Sequence, residues 1–166
     1  MNEKNVGHGR ALLEGIKHIK TPYMFLFDSD TQVLKKELLY KMRELITPDI
    51  YAVGFMVWSD RGGGTMRQHD VTLPRPAGGV KYLHPFCALI SMKMYYEFPP
   101  FDDTYFAHNP SWGAPLIPAM REITDQHRED ELLIHLPGLT YCGNEDVKHY
   151  RGLNRIICKE RGYGPV

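Results

Sequence analysis

The chain has 166 residues, the length of one compact domain, and its 43% hydrophobic and 24% charged residues describe a globular protein with a real core rather than a disordered, collagen-like or coiled-coil chain. Twenty Lys+Arg balance twenty Asp+Glu, so no global field draws the chain to nucleic acid or to an anionic membrane, and recognition has to be local. The longest apolar runs, residues 23–27 and 86–92, fall far short of the roughly 20 residues that cross a bilayer, and the N-terminus carries no signal-peptide pattern, so a soluble protein is expected.

Over residues 8–19, Ala11, Leu12, Ile16 and Ile19 recur at helical spacing, with Lys17, His18 and Lys20 near the end where positive charge suits the helix macrodipole. Thr21-Pro22 stops that helix, and Tyr23 to Phe27 is a continuous apolar run too short for a helix, which predicts a strand buried on both faces. Residues 35–46 place Leu38, Leu39, Met42 and Leu45 along one stripe of a second helix, ended by Thr47-Pro48-Asp49, and residues 50–58 form the next strand. The order helix, strand, helix, strand predicts an α/β layered domain with an at least partly parallel sheet. Residues 59–79, with Gly62-Gly63-Gly64 and Pro74-Arg75-Pro76, read as a long loop with room for a short hairpin over 65–73. A third strand is expected at 86–91, a short helix at 92–97 closed by Pro99-Pro100, and a helix at 114–124 with Pro115 in its first turn. Residues 131–136 read as a last strand, and the basic tail 143–166 is only weakly periodic.

The most informative stretch is Phe25-Leu26-Phe27-Asp28-Ser29-Asp30-Thr31-Gln32, where a buried strand runs directly into two carboxylates and an amide at alternate positions. On an extended backbone these three side chains face one way, and ligands of open α/β sheets bind beyond the carboxyl ends of the strands. Magnesium or manganese takes oxygen ligands and commonly joins one or two carboxylates to substrate phosphates, so Asp28, Asp30 and Gln32 form a candidate metal site. Two adjacent carboxylates repel unless a cation compensates them, which favours that reading over an ordinary capped turn.

The segment Asn5-Val6-Gly7-His8-Gly9-Arg10-Ala11-Leu12-Leu13-Glu14-Gly15-Ile16, followed by the apolar strand and Asp28-Ser29-Asp30-Thr31-Gln32, resembles the family 2 glycosyltransferases of the GT-A fold, and among them the polyprenyl- or dolichyl-phosphate mannose synthases. Their pattern is N-x-G-x-G-x-A-x-x-x-G-I, a helix, an apolar strand, then D-x-D with a glutamine two residues later. The resemblance implies a Rossmann-like layered α/β sheet with helices on both faces. It also implies a nucleoside-diphosphate-sugar donor whose diphosphate is bridged to Asp30 by manganese or magnesium, with Asp28 near the ribose or the metal and Gln32 as a further ligand. Asn5, Gly7 and Arg10 are implied on the nucleotide side, Arg10 standing in where His8 replaces the lysine usual in the glycine-rich turn. Such a domain begins with βα units that hold the nucleoside base and that would precede Asn5, so a chain lacking its first nucleotide-binding units is expected.

In that layout residues 1–166 form a single domain, with the D-x-D part at 1–58, the long loop at 59–79, and an acceptor-side part with the tail at 80–166. The strand Leu83-His84-Pro85-Phe86-Cys87-Ala88-Leu89-Ile90-Ser91 lies where such enzymes place the strand beneath the acceptor, a saccharide or another hydroxyl compound. Inverting members need a carboxylate to deprotonate that hydroxyl, and the candidates are Asp102, Asp103 and, within Gly143-Asn144-Glu145-Asp146-Val147, Asp146. As a loop carboxylate, Asp146 reads equally as the cap of a helix through His149.

The remaining chemistry is sparse. Eight histidines are scattered without H-x-x-x-H spacing, and most, His149 among them, read as surface or packing residues, with His84 and His108 better placed for acceptor or metal contact. Trp112 is a candidate sugar-stacking ring, and Arg61, Arg67, Arg75 and Lys81 are candidate phosphate clamps or a solvated basic loop. Three cysteines, Cys87, Cys142 and Cys158, form no C-x-x-C and fit a reducing cytoplasm, with peripheral membrane association left open. Two other functions fit parts of the pattern. A haloacid-dehalogenase-like phosphatase also follows a strand with D-x-D, although Gln32 stands where it needs Thr or Ser, and a catalytically inactive glycosyltransferase-like binding module fits a shortened chain.

Overall fold

The computed structural model describes residues 8–62, 71–99 and 116–150, and of residues 8–10 the backbone only. In chain order the elements are α1 (His8–Ile16), β1 (Tyr23–Leu26), β2 (Thr31–Val33), α2 (Glu37–Leu45), β3 (Ala52–Ser59), β4 (Val80–Ser91), α3 (Met92–Glu97), α4 (Ile117–Asp125), α5 (Glu129–Leu132), β5 (Leu133–His135) and β6 (Val147–His149). They build the mixed α/β domain expected from the order of elements, consistent with the GT-A-like layout that the resemblance implies.

The main sheet has the order β1-β4-β3-β5, in which β4 is antiparallel to both β1 and β3 while β5 runs parallel to β3. The strands β1, β3 and β5 therefore share one direction, and α2 is the crossover between β1 and β3. Every residue of β3 is buried, as its uninterrupted apolar sequence requires of a strand with neighbours on both edges. Leu38 and Met42, one helical turn apart, are the buried stripe of α2, whereas Leu39 is exposed. Ser91 joins β4 to α3: its hydroxyl accepts from the Met94 amide as the helix cap and donates to the Pro48 carbonyl at 2.9 Å.

Between β3 and β4 the pairing is broken by a wide bulge. Gly54 faces Ala88, but Met56 already faces Leu83, so Phe55 alone stands against His84, Pro85, Phe86 and Cys87. Pro85 has no amide hydrogen to give to the ladder, which suits it to such a break. Gly54 permits the close approach at its edge, since a Cβ there would lie 2.4 Å from the Cys87 carbonyl oxygen and 3.0 Å from the Ala88 Cα.

Several boundaries differ from the spacing. β4 begins at Val80, six residues before its apolar core, because Val80, Tyr82 and Leu83 are buried while Lys81 and His84 mask the alternation. The strand expected at 131–136 is divided between α5 and β5, as Glu129, Asp130 and Glu131 crowd the first turn of a helix where negative charge is favoured. The helix expected at 114–124 begins at Ile117 with Pro118 in its first turn, and Pro115 lies outside the described residues, as do 63–70 of the long loop and 151–166 of the tail. Two short strands had no periodic signal, β2 and β6, and they pair antiparallel as a separate small sheet.

Two outcomes test this packing. Gly54→Ala meets backbone rather than a yielding side chain, so it should lower unfolding free energy by about 2 kcal/mol or more in urea titration, and an unchanged midpoint would contradict the close approach. Burial pushes the Cys87 thiol up to about 12, whereas Cys142 is exposed. Peptide mapping after alkylation at mildly alkaline pH should find Cys142 modified and Cys87 protected until denaturant is added.

Candidate functional site

The candidate site stands where β1 and β5 end. Leu26 and Gly54 both face Ala88, and Gly54 faces His135, so the last residues of β1 and β5 lie level with the edge of the β3–β4 bulge. Beyond that line the chain leaves β1 through Phe27 and Asp28 and turns at Ser29–Asp30, where the Thr31 amide donates to the Asp28 carbonyl at 3.0 Å. Asp28 and Asp30 are thus brought together by a turn and not by the alternation of an extended strand. Asp30 is buried and Asp28 half-buried.

The third member comes from the far end of the described chain. β6 runs beside β2 with Thr31 opposite His149, and the Tyr150 amide donates to the Asp30 carbonyl at 2.8 Å. Ligand atoms of Asp28, Asp30 and His149 lie within 4.8 Å of one another, with His149 Nε2 3.4 Å from Asp30 Oδ1. The imidazole is held on three sides. Nδ1 lies 2.8 Å from the Tyr141 carbonyl oxygen, which can only accept, so Nδ1 carries a proton and Nε2 is the nitrogen that faces Asp30. One face stacks on Phe86 at 4.5 Å and 6°, and Tyr141 meets the ring edge-on at 5.1 Å. The bulge supplies Phe86, which connects the break in the central ladder to the orientation of the ring.

This donor set fits a divalent cation: two carboxylate oxygens and one oriented imidazole nitrogen already converge, with the second imidazole nitrogen fixed by a backbone carbonyl in the manner of metal-ligating histidines. Sequence reasoning placed His149 among the surface or packing histidines. No local signal marks it: Val147, Lys148 and His149 are buried, exposed and buried, but three residues are too few to show a period in the sequence.

Gln32 is exposed on β2, and its Oε1 accepts from the Tyr150 hydroxyl at 3.0 Å. Asp146 is buried but is not a member of the converging group. Its carboxylate is turned to Lys41 on α2, and the segment after it is β6, so it does not cap a helix through His149. Gly143, at a φ of 98°, and Asn144, whose side chain accepts from the Asp146 and Val147 amides, form the turn that launches that strand. Asn5, Gly7, Asp102, Asp103, His108, Trp112, Arg67 and Cys158 lie outside the described residues, as does the side chain of Arg10.

Around the bulge His84, His135, Phe55 and Tyr141 form an aromatic wall: Phe55 stacks on Tyr141, and His84 meets Tyr141 edge-on at 5.0 Å. The Met56 and Phe86 amides donate to Nδ1 of His135 and His84, respectively, which assigns both rings the Nε2–H tautomer. The described basic residues in and beside the long loop have carboxylate partners: Arg61 forks onto Asp125 at 2.9 and 2.6 Å, Arg75 reaches Glu129 at 2.9 Å, and Lys81 reaches Asp130 at 3.0 Å. They tie the loop to α4 and α5, which accounts for their charge without a phosphate.

No helix among the described residues is long and apolar enough to cross a membrane. No curated protein and no solved structure matches the chain. The family model described as glycosyl transferase family 2 matches residues 1–107, well over half of the sequence and including the strand and both aspartates of the candidate site. The chain belongs to the family 2 glycosyltransferases.

Proposed function

We propose that the protein transfers a sugar, with inversion, from a nucleoside-diphosphate sugar to an acceptor hydroxyl, using a divalent cation held by Asp28, Asp30 and His149. The observation that carries this reading is the convergence of these three side chains at the carboxyl end of β1 in a chain of this family. Manganese suits a mixed oxygen and nitrogen set better than magnesium, which prefers oxygen alone. A cation bound there would act as a Lewis acid, neutralising charge that gathers on the leaving diphosphate. Asp28, Asp30 and His149 would hold that cation on the donor's phosphate side, Gln32 stands beside the aspartates on β2, and Asn5, Gly7 and Arg10 would serve the nucleotide side. The half-buried wall of His84, His135 and Tyr141 adjoins His149 and suits the sugar or acceptor hydroxyls. Of the three carboxylates considered for deprotonating the acceptor, Asp146 already accepts from an ammonium, which favours Asp102 or Asp103. The acceptor is a saccharide or another hydroxyl compound, and a cytoplasmic location accords with a nucleotide-sugar donor.

Two measurements test it. Manganese should raise the melting temperature of the wild-type chain, and Asp30→Ala or His149→Ala should weaken manganese binding by at least about tenfold in calorimetry. In a panel of nucleotide sugars, slow manganese-dependent release of a nucleoside diphosphate should be seen and should vanish in Asp30→Ala. Turnover of an aryl phosphate, lost in Asp28→Asn and unaccompanied by nucleotide-sugar cleavage, would instead identify a phosphatase. Silence in both assays with no binding of uridine or guanosine diphosphate would identify an inactive binding module.

A further inference from the structure

Asp146 is 1% exposed, and its carbonyl and one carboxylate oxygen are bonded to the structure around the site rather than to the site itself. Its carbonyl accepts from the Leu34 and Lys35 amides at 2.7 and 3.1 Å, which prolongs the β2–β6 pairing past its last regular residue pair. Its carboxylate Oδ2 accepts from Lys41 Nζ at 2.5 Å, and that hydrogen bond holds the Lys41 ammonium above its ordinary pKa. The other oxygen, Oδ1, has no hydrogen-bond partner among the described residues and lies 3.9 Å from Lys35 Nζ. Glu145 completes the group, 3.1 Å from Lys35 and 3.7 Å from Lys41. From Asp146 the chain runs straight through Val147 and Lys148 to His149, a span of roughly 10 Å at strand rise.

We propose that Asp146 is a positioning residue that latches β6 to β2 and to Lys41 on α2, and so sets where the His149 imidazole stands against Asp30. The proposal rests on the metal reading of the preceding subsection for its consequence, but not for the latch itself. A general base needs a lone pair within reach of the acceptor proton, whereas this carboxylate is buried, already bonded to an ammonium and separated from the converging side chains by the length of β6. An anchor at one end of a three-residue strand is rigid enough to place a ring at the other. Lys41 has the same role from the α2 side, although it carries no group that could act as a base.

The test uses the 166-residue chain, manganese alone as the probe, and three variants: Asp146→Asn, Lys41→Gln and Lys41→Arg. Asp146→Asn and Lys41→Gln should each weaken manganese binding about tenfold and should speed hydrogen exchange at the Leu34 and Lys35 amides in the metal-free chain. Lys41→Arg should keep both properties, and the double variant should be no worse than either single one, since both remove the same contact. Should Asp146→Asn fail to fold, Lys41→Gln carries the test, because that side chain is half-exposed. Unchanged manganese affinity and unchanged exchange in both variants, with nucleotide-sugar cleavage lost only in Asp146→Asn, would overturn the latch and make Asp146 the base. If the wild-type chain binds no manganese, the metal reading fails, and the exchange rates alone decide the latch: accelerated in both variants it stands, unchanged it falls.

Discussion

The candidate site depends on one long-range pairing, that of β2 with β6. Asp30 and His149 are separated by most of the described chain, and they meet because two three-residue strands lie side by side. A two-stranded pair of that length has no independent stability, so the contact has to be held by its surroundings. The structure meets this requirement at both ends and in the middle. Asp146 and its lysines fasten one end, the Tyr150 amide bonded to the Asp30 carbonyl fastens the other, and Val147 is fully buried between them. Gly143 sets the turn before β6 with no room for a side chain, since a Cβ there would lie 2.0 Å from the Val147 carbonyl oxygen. Closing the chain over such a distance costs entropy that grows slowly with loop length, which a few well-satisfied backbone bonds and one buried apolar residue offset.

The main sheet contributes by what it leaves undone. A regular ladder between β3 and β4 would place His84, Phe86 and Phe55 at ordinary alternating positions. The bulge instead sets four residues of β4 against one of β3. The Phe86 amide, unpaired in the break, and the Met56 amide at its edge both find imidazole nitrogens, so neither is an orphaned donor. The same break brings Phe86 flat against His149. A site at the carboxyl ends of β1 and β5 is therefore continuous with an aromatic wall, and both arise from one irregularity near Gly54.

Legibility in the sequence followed the kind of force that shapes each part. β3 was readable because burial on both faces demands uninterrupted apolar residues. The apolar run of β1 located that strand but misjudged its place, since β1 is at the sheet edge with Tyr23 and Phe25 half-buried and Phe27 exposed, and the two aspartates were conspicuous because they follow it. α2 was readable from Leu38 and Met42, although Leu39, counted in its stripe, is exposed. The first half of β4 was hidden because Lys81 and His84 interrupt it, each accommodated by contacts that only the folded chain supplies. β2 and β6 were invisible: three residues are too few for a period, and their pairing is decided by the register of segments more than a hundred residues apart. His149 was lost with them. The charges of the long loop were ambiguous for a related reason, since whether Arg61 meets a phosphate or Asp125 depends on where α4 lies, which no local pattern records.

A cation held by Asp28, Asp30 and His149 would bind the closed β2–β6 pair and not an open one. Binding and closure then share one free energy: the ion stabilises the pairing to the extent that the pairing raises affinity for the ion. The metal-free chain retains a reason to stay closed, because the Nδ1–H of His149 is bonded to the Tyr141 carbonyl and the ring is stacked on Phe86 whether or not Nε2 has a ligand. Two carboxylates at close range oppose closure through their repulsion, and the latch at Asp146 and the stacking of His149 act against it from outside the charged centre. The arrangement is thereby biased toward a preformed cluster of two carboxylates and an imidazole, stabilised by its neighbours, whose mutual repulsion a cation bound there would relieve.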